Sequence, residues 1–183
     1  MGNFFELIER RESCRNYQNT PVEKEKLEKC MEAARIAPSA CNSQPWSFLV
    51  INSPTLSPKV AECLQGMGLN KFAEICPSFI VVIEEKANLT AKLGGIVKDQ
   101  YYAPIDIGIA ASYITLAATE QGLSSCIMGW FHENKLKELL KIPRNKRIRL
   151  VIGVGYAASK TLREKKRKGI DEIMTYVDKD SAK

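Results

Sequence analysis

Histidine is all but missing from this chain: His132 is the single one in 183 residues. A metal centre built on several imidazoles is thereby excluded. The six cysteines, Cys14, Cys30, Cys41, Cys63, Cys76 and Cys126, stand singly, with no C-x-x-C pair to take over that role. Spacing alone leaves open a Cys–His nucleophile pair such as Cys41 with His132. No run approaches the roughly 18 apolar residues of a membrane span, and the start, Met1-Gly2-Asn3-Phe4-Phe5-Glu6, has no basic n-region. The expectation is a cytoplasmic protein, without a membrane partner, that keeps its thiols reduced and several of them in the core. The common phosphate-binding signatures are missing too. No G-x-x-x-x-G-K-[ST] occurs. Gly153-Val154-Gly155-Tyr156-Ala157-Ala158 has the letters of a dinucleotide fingerprint, but no helix-periodic segment follows to aim an N-terminus at a pyrophosphate. A bound nucleotide would need another device for its phosphate.

What is present is a composition of 45% apolar and 26% charged residues, which belongs to a folded globular chain, and a length suited to one domain over 1–183. Phe4, Leu7, Ile8 and Arg11 at helical spacing predict a first helix over about 2–11. Thr20-Pro21-Val22-Glu23 reads as a capping box with proline at the first helical position, followed by the stripe Leu27, Met31 and Ala34. Trp46 to Ile51 predicts a strand and Ser57 to Leu64 a helix, with Gly66-Met67-Gly68-Leu69-Asn70 breaking it. Ser78 to Ile83 is apolar at consecutive positions and predicts a central strand covered on both faces. Ile105, Ile109, Tyr113 and Leu116 mark a helix slimmed by alanine pairs, nearly apolar all round and so buried in the core or between subunits. Leu123 to Met128 and Ile148 to Gly155 complete the strands, with a short helix ending near Leu140 between them. Residues from about 157 to 183 are basic and poor in apolar side chains, and are expected to form an arm on another surface.

The densest chemistry lies in Ala37-Pro38-Ser39-Ala40-Cys41-Asn42-Ser43-Gln44-Pro45-Trp46. Small residues let backbone approach a flat ligand, Asn and Gln offer paired donors and acceptors, and the two prolines restrict the chain. Two basic clusters near the ends of the sequence could hold a phosphate. Arg11, Ser13 and Arg15 alternate and so share one face of an extended segment, and Lys166 and Lys168 alternate in the arm. Arg, Lys and Ser give charge-assisted bonds to such an anion.

The order R-x-S-x-R, A-P-S-x-x-N-S-Q-P-W, an Asp106-containing Ala-rich helix, a G-L-S-S-C-I-M-G-W strand and a basic arm resembles the FMN-dependent nitroreductase family over nearly the whole chain. The resemblance implies an α+β sandwich, with a mainly antiparallel central sheet flanked by helices, in an intertwined homodimer whose arms embrace the partner subunit. It implies FMN as cofactor, NADH or NADPH as electron donor, and a quinone, nitroaromatic or similar small-molecule oxidant reduced in ping-pong fashion.

Carried over by position, Arg11 and Ser13 would face the FMN phosphate and Arg15 the ring. Lys166 and Lys168 would be further phosphate ligands, with Arg167 as substitute if the register slips. Pro38, Ser39, Ala40, Asn42 and Gln44 would reach the FMN from the other subunit. Asn70 would bond the pyrimidine edge, Ile127 would pack on the ring, and Met128 and Gly129 would offer backbone N–H groups. No protein acid or base is implied, since the flavin carries the hydride. Larger family members carry an acidic residue where Met128 stands and a lysine where Ala73 stands, so nicotinamide preference does not transfer. Two other functions are compatible with the residues: FMN storage or redox sensing without turnover, and nucleic-acid binding by the Arg163–Lys168 run of a chain with net charge +6. The absence of aromatics interleaved with those cations argues against nucleic acid.

Overall fold

In the computed structural model, residues 3–159 and 161–177 are described, apart from the Ile96 side chain; the end of the expected arm, 178–183, lies outside them. A four-stranded antiparallel sheet runs β1-β2-β4-β3, with β1 Trp46–Ile51, β2 Ser78–Glu84, β3 Ser124–Met128 and β4 Arg147–Gly155. The consecutive apolar residues of β2 are explained by its place. Phe79, Val81 and Ile83 enter one core and Ile80 and Val82 the other, and every one of them is buried.

The first core packs beneath α3 (Ser57–Leu64) and α6 (Glu133–Leu140), through Val60, Leu64 and Leu136. The second packs beneath α2 (Lys24–Arg35) and α5 (Tyr102–Glu120), through Leu27, Cys30 and Ala34 of α2 and Ile107, Ala111, Ile114 and Ala118 of α5. Each of the valine, leucine and isoleucine side chains among them contributes roughly 1.5–3 kcal/mol when fully buried. The result is a helix–sheet–helix sandwich of the expected α+β class. The remaining helices, α1 (Phe4–Arg10), α4 (Leu89–Lys98) and the single turn α7 (Ile170–Ile173), lie at its periphery. Among the described residues no helix is long and apolar enough to cross a membrane.

Two local expectations are corrected. The second helix starts at Lys24, so Pro21 lies outside it and Thr20 caps nothing; Glu23 stands at the N-cap without a side-chain cap bond. Its carboxylate instead accepts from the Tyr156 hydroxyl at 2.7 Å and pairs with Lys26 at 3.4 Å, a tertiary contact that outcompetes the local one. Helix α4 has no counterpart among the elements expected from the sequence. It begins where the Asn88 carboxamide accepts from the Ala91 N–H at 2.8 Å, an N-cap geometry. Helix α5, expected to lie in the core or between subunits, buries one face within this chain. Ala103, Ile107, Ala110, Ile114 and Ala118 face inward, while Ile105 and Tyr113 are exposed on the opposite face.

Candidate functional site

The expected site residues fall into two groups, and sheet topology separates them. The first group gathers at the β3 edge. After α1 the chain runs extended beside β3: Ser13 forms a parallel bridge with Ser125, and the Cys14 N–H donates to the Ser125 carbonyl at 2.9 Å. Two further bonds hold the segment to the exit of β4, Gln18 N–H to the Tyr156 carbonyl at 2.8 Å and Ala158 N–H to the Asn16 carbonyl at 2.9 Å. Arg11, Ser13 and Arg15 are therefore presented by backbone that is hydrogen-bonded to the sheet.

The basic arm comes to the same place. Arg163 donates to the Ser13 carbonyl and pairs with Glu12, and the Lys165 ammonium donates to the Ile8 carbonyl at 3.1 Å and to the Glu9 carbonyl at the C-terminal end of α1. Burial lowers the Lys165 pKa, and the nearby positive charges of Arg11 and Arg167 lower it further. Arg163 and Lys165 of the arm thus lie against the segment that carries Arg11 and Ser13. Lys165 and Arg163 anchor the arm, a role that sequence reasoning missed, while Lys166 and Lys168 are exposed.

The Arg15 guanidinium donates to the Ser13 carbonyl at 3.5 Å, the carbonyl that Arg163 also reaches, and lies 5.8 Å from the centre of the Phe72 ring. Phe72 follows Asn70, whose carboxamide nitrogen donates to the Leu64 carbonyl at 3.2 Å and the Trp130 carbonyl at 3.0 Å. Those bonds tie the left-handed Asn70, φ 55°, to the exit of β3 and leave its Oδ1 as an acceptor. At that exit Met128 is buried and Ile127 is 42% exposed, and a Cβ added to Gly129 would meet nothing within 4 Å. An apolar side chain and open backbone therefore lie beside a stacked cation.

The second group sits before β1, at the other edge of the sheet. Cys41, Asn42 and Gln44 all have positive φ, at 50°, 50° and 47°. Non-glycine residues adopt this region rarely, at a cost of order 1 kcal/mol or more each, and such strain collects at functional sites. The turn is held from three sides. The Ala40 N–H donates to the buried Asp106 carboxylate of α5, at 3.1 Å to Oδ1 and 3.2 Å to Oδ2. Asn88 donates to the Cys41 carbonyl at 3.0 Å, and the Gln44 N–H donates to Ser39 Oγ at 2.9 Å. Gln44 Nε2 also donates to Asn42 Oδ1 at 3.0 Å, so Pro38, Ser39, Ala40, Asn42 and Gln44 form one ordered unit. Beside it a cleft of about 380 Å³ is lined by residues including Pro45, Lys92, Tyr101, Tyr102 and Asp106.

The separation can be measured along α5. Asp106 near its start holds Ala40, and the Thr119 carbonyl near its end accepts from Arg10 Nη2 at 3.2 Å. At 1.5 Å per residue the two anchor points are about 20 Å apart. Within one chain the amide-rich turn and the basic strand edge therefore lie apart, at opposite edges of the sheet.

Fold and residues together define a helix-flanked antiparallel α+β sandwich with a basic sheet edge and a separate strained, amide-rich turn. The model of the Nitroreductase family matches residues 8–156, and the chain belongs to that family. It is 31% identical over 160 residues to a candidate NADH dehydrogenase/NAD(P)H nitroreductase of Archaeoglobus fulgidus, covering 85% of this chain and 86% of that protein. It is 26% identical over 180 residues to an iodotyrosine deiodinase of Haliscomenobacter hydrossis, covering 86% of this chain and 80% of that one. Among solved structures it resembles an FMN-dependent nitroreductase of Clostridium difficile, with TM-score 0.69, 30% identity, and coverage of 92% of this chain and 94% of that one.

Proposed function

We propose that this chain is an FMN oxidoreductase that works as a homodimer, taking electrons from NADH or NADPH and passing them to a small electron-poor acceptor such as a quinone or nitroaromatic. The observation that carries this reading is that the Pro38–Gln44 turn and the basic strand edge, anchored to α5 at Asp106 and Thr119, lie about 20 Å apart in one chain. A second copy would bring the Pro38–Gln44 turn of one subunit to the basic edge of the other. Support for FMN in particular comes from the donor set and from the FMN-dependent relative of known structure. Arg11 and Ser13 offer charge-assisted and hydroxyl bonds to a phosphate, with Lys166 and Lys168 of the arm as further ligands. The open space over Gly129 and the exposed Ile127 suit a flat ring against the strand end.

When bound, FMN supplies a carrier that takes up and returns hydride, chemistry that no side chain here performs. The protein's part is position and charge. Arg15, between the Ser13 carbonyl and the Phe72 ring, would place a cation beside the flavin ring and favour negative charge on its reduced form. The Met128 and Gly129 N–H groups and the Asn70 Oδ1 would fix the ring edge. The cleft at Tyr101 and Tyr102, next to the amide-rich turn, gives donor and acceptor a place to stack in turn. The arm, already anchored through Arg163 and Lys165, would continue over the partner subunit.

The test is the visible absorption spectrum of the purified protein before and after anaerobic NADH, then NADPH. A flavin spectrum that bleaches and is restored by a quinone supports the reading. A colourless protein that takes up no added FMN overturns it, and a bound flavin that neither nucleotide reduces removes the NAD(P)H step. The deiodinase relatives define a second acceptor to offer. If the dithionite-reduced protein is reoxidised by iodotyrosine with release of iodide, and not by quinones, the acceptor class is a halogenated phenol.

A further inference from the structure

Two of the buried thiols are neighbours on adjacent strands. Ser13 pairs with Ser125 in a parallel bridge, and the Cys14 N–H bonds the Ser125 carbonyl, so the next residues along, Cys14 and Cys126, lie side by side. Adjacent strands are about 4.8 Å apart, inside the roughly 4.4–6.8 Å between Cα atoms that a disulfide spans. Both side chains enter the same core cluster and hence the same face of the sheet. The Cys14 sulfur makes one bond, to the Asn16 carbonyl at 3.2 Å, and the nearest partner of the Cys126 sulfur is a carbonyl at 3.9 Å, so neither is firmly held where it is. Cys76, in the same core, is held by two, the Ser78 carbonyl at 3.3 Å and the Val154 carbonyl at 3.7 Å. Cys14 also lines a cleft of about 200 Å³ with Arg15, Asn16, Thr161 and Arg163, which gives a small oxidant a way in. The pKa of the Cys14 thiol is raised, by burial first and also by the Glu12 carboxylate at the cleft, against the opposing hydrogen bond to Asn16 and the charges of Arg163 and Arg15.

We propose that Cys14 and Cys126 are a redox-active pair that closes to a disulfide when a peroxide enters this cleft. The Cys14 thiol loses its proton, and its sulfur attacks one peroxide oxygen. The O–O bond breaks, the leaving hydroxide takes up a proton to become water, and Cys14 is left as a sulfenic acid. The Cys126 sulfur then attacks the Cys14 sulfur, the S–O bond breaks, and the oxygen leaves as a second water carrying the Cys126 proton. Two electrons pass from the thiols to the peroxide. The bridge would fasten the segment bearing Ser13 and Arg15 to β3 immediately before Ile127, so oxidation would fix this basic segment to the sheet.

The test treats the purified protein with hydrogen peroxide, alkylates the remaining thiols and maps peptides without reduction. A Cys14 peptide joined to a Cys126 peptide, lighter by two hydrogen atoms than the sum and separated by dithiothreitol, is the expected result. Alkylation of both residues, or Cys14 joined to Cys76, overturns the proposal. A second measurement uses Cys126→Ala, in which the sulfenic acid has no partner and Cys14 should accumulate a dimedone adduct. Cys14→Ala should leave Cys126 without one, and an adduct on Cys126 there would reverse the assigned order and overturn the mechanism. These readouts do not depend on a bound flavin.

Discussion

The Asp106 carboxylate lies 3.1 and 3.2 Å from the Ala40 nitrogen through its two oxygens, joining the N-terminal part of α5 to the start of the strained turn. This bond is what allows Cys41, Asn42 and Gln44 to stay left-handed. Replacing Asp106 by alanine leaves the Ala40 N–H without its acceptor, and the expected loss is about 1–3 kcal/mol in urea unfolding. Asp106→Asn keeps one acceptor oxygen and should recover most of it. On the proposed function, Asp106→Ala should also release FMN faster than Asp106→Asn. Equal FMN release from the two variants would mean that the turn is not part of the flavin site.

The proposed two-subunit site predicts complementation. Arg11→Ala and Asn42→Ala should each weaken FMN binding about tenfold or more when either chain forms the dimer alone, since each removes a polar group that bonds the cofactor. A mixed dimer carries one site with both substitutions and one with neither. Unfolding and refolding an equal mixture should therefore restore tight FMN binding to a fraction of the sites, measured by fluorescence titration. If Arg11 and Asn42 served the same site from one chain, no tight site would return. The Arg11→Ala defect should also shrink as salt rises, because the guanidinium acts on the phosphate through its charge and salt screens that attraction in the wild type.

Which parts of this architecture are legible in the sequence follows from where the signals come from. Strand β2 is legible because burial on both faces writes itself as unbroken apolar residues, and α3 because Pro58 and its apolar stripe agree. Helix α4 is not. Leu89–Lys98 contains Gly94 and Gly95, each costing about 1 kcal/mol against alanine, and Leu89, Leu93 and Val97 face outward rather than into a core. Its one sequence signal is Asn88, an N-cap three residues before Ala91. At Thr20 the opposite holds, because a local motif is present but Glu23 is committed to Tyr156, 133 residues away. The candidate site residues are proposed one by one from the family pattern. That Pro38–Gln44 and Arg11–Arg15 lie at opposite edges is not legible there, since strand order is a tertiary fact.

Two glycines of the sheet region should respond oppositely to alanine. A Cβ on Gly155 would lie 2.7 and 2.8 Å from Pro77 carbons and 2.9 Å from a Tyr17 ring carbon, all in packed surroundings. Gly155→Ala should therefore cost about 1–3 kcal/mol or more by overpacking, seen as a lower Tm. Gly129→Ala meets nothing within 4 Å and should fold with Tm unchanged. Its effect should appear in FMN affinity alone, because a methyl group would occupy the space assigned to the ring. Unchanged FMN affinity in Gly129→Ala would remove the β3 exit from the site.

The acid sensitivity of the fold should have one identifiable contribution. Glu85, just past β2, accepts from Ser47 Oγ at 2.8 Å and pairs with Lys146 at the start of β4, so it ties together three strands. The Lys146 ammonium holds the Glu85 carboxyl below its ordinary value of 4.5. A carboxyl whose pKa is lower in the folded than in the unfolded state stabilises the fold above the unfolded value and stops doing so as pH falls through the folded one. Because the pair is partly exposed, the effect is about 0.5–1 kcal/mol. The Tm of wild type should exceed that of Glu85→Gln by a constant margin at neutral pH. That margin should narrow only below about pH 4.5, where the unfolded-state carboxyl starts to gain its proton. A margin that persists undiminished in strong acid would mean that Glu85 acts through its Ser47 hydrogen bond and packing, and that charge contributes nothing at this junction.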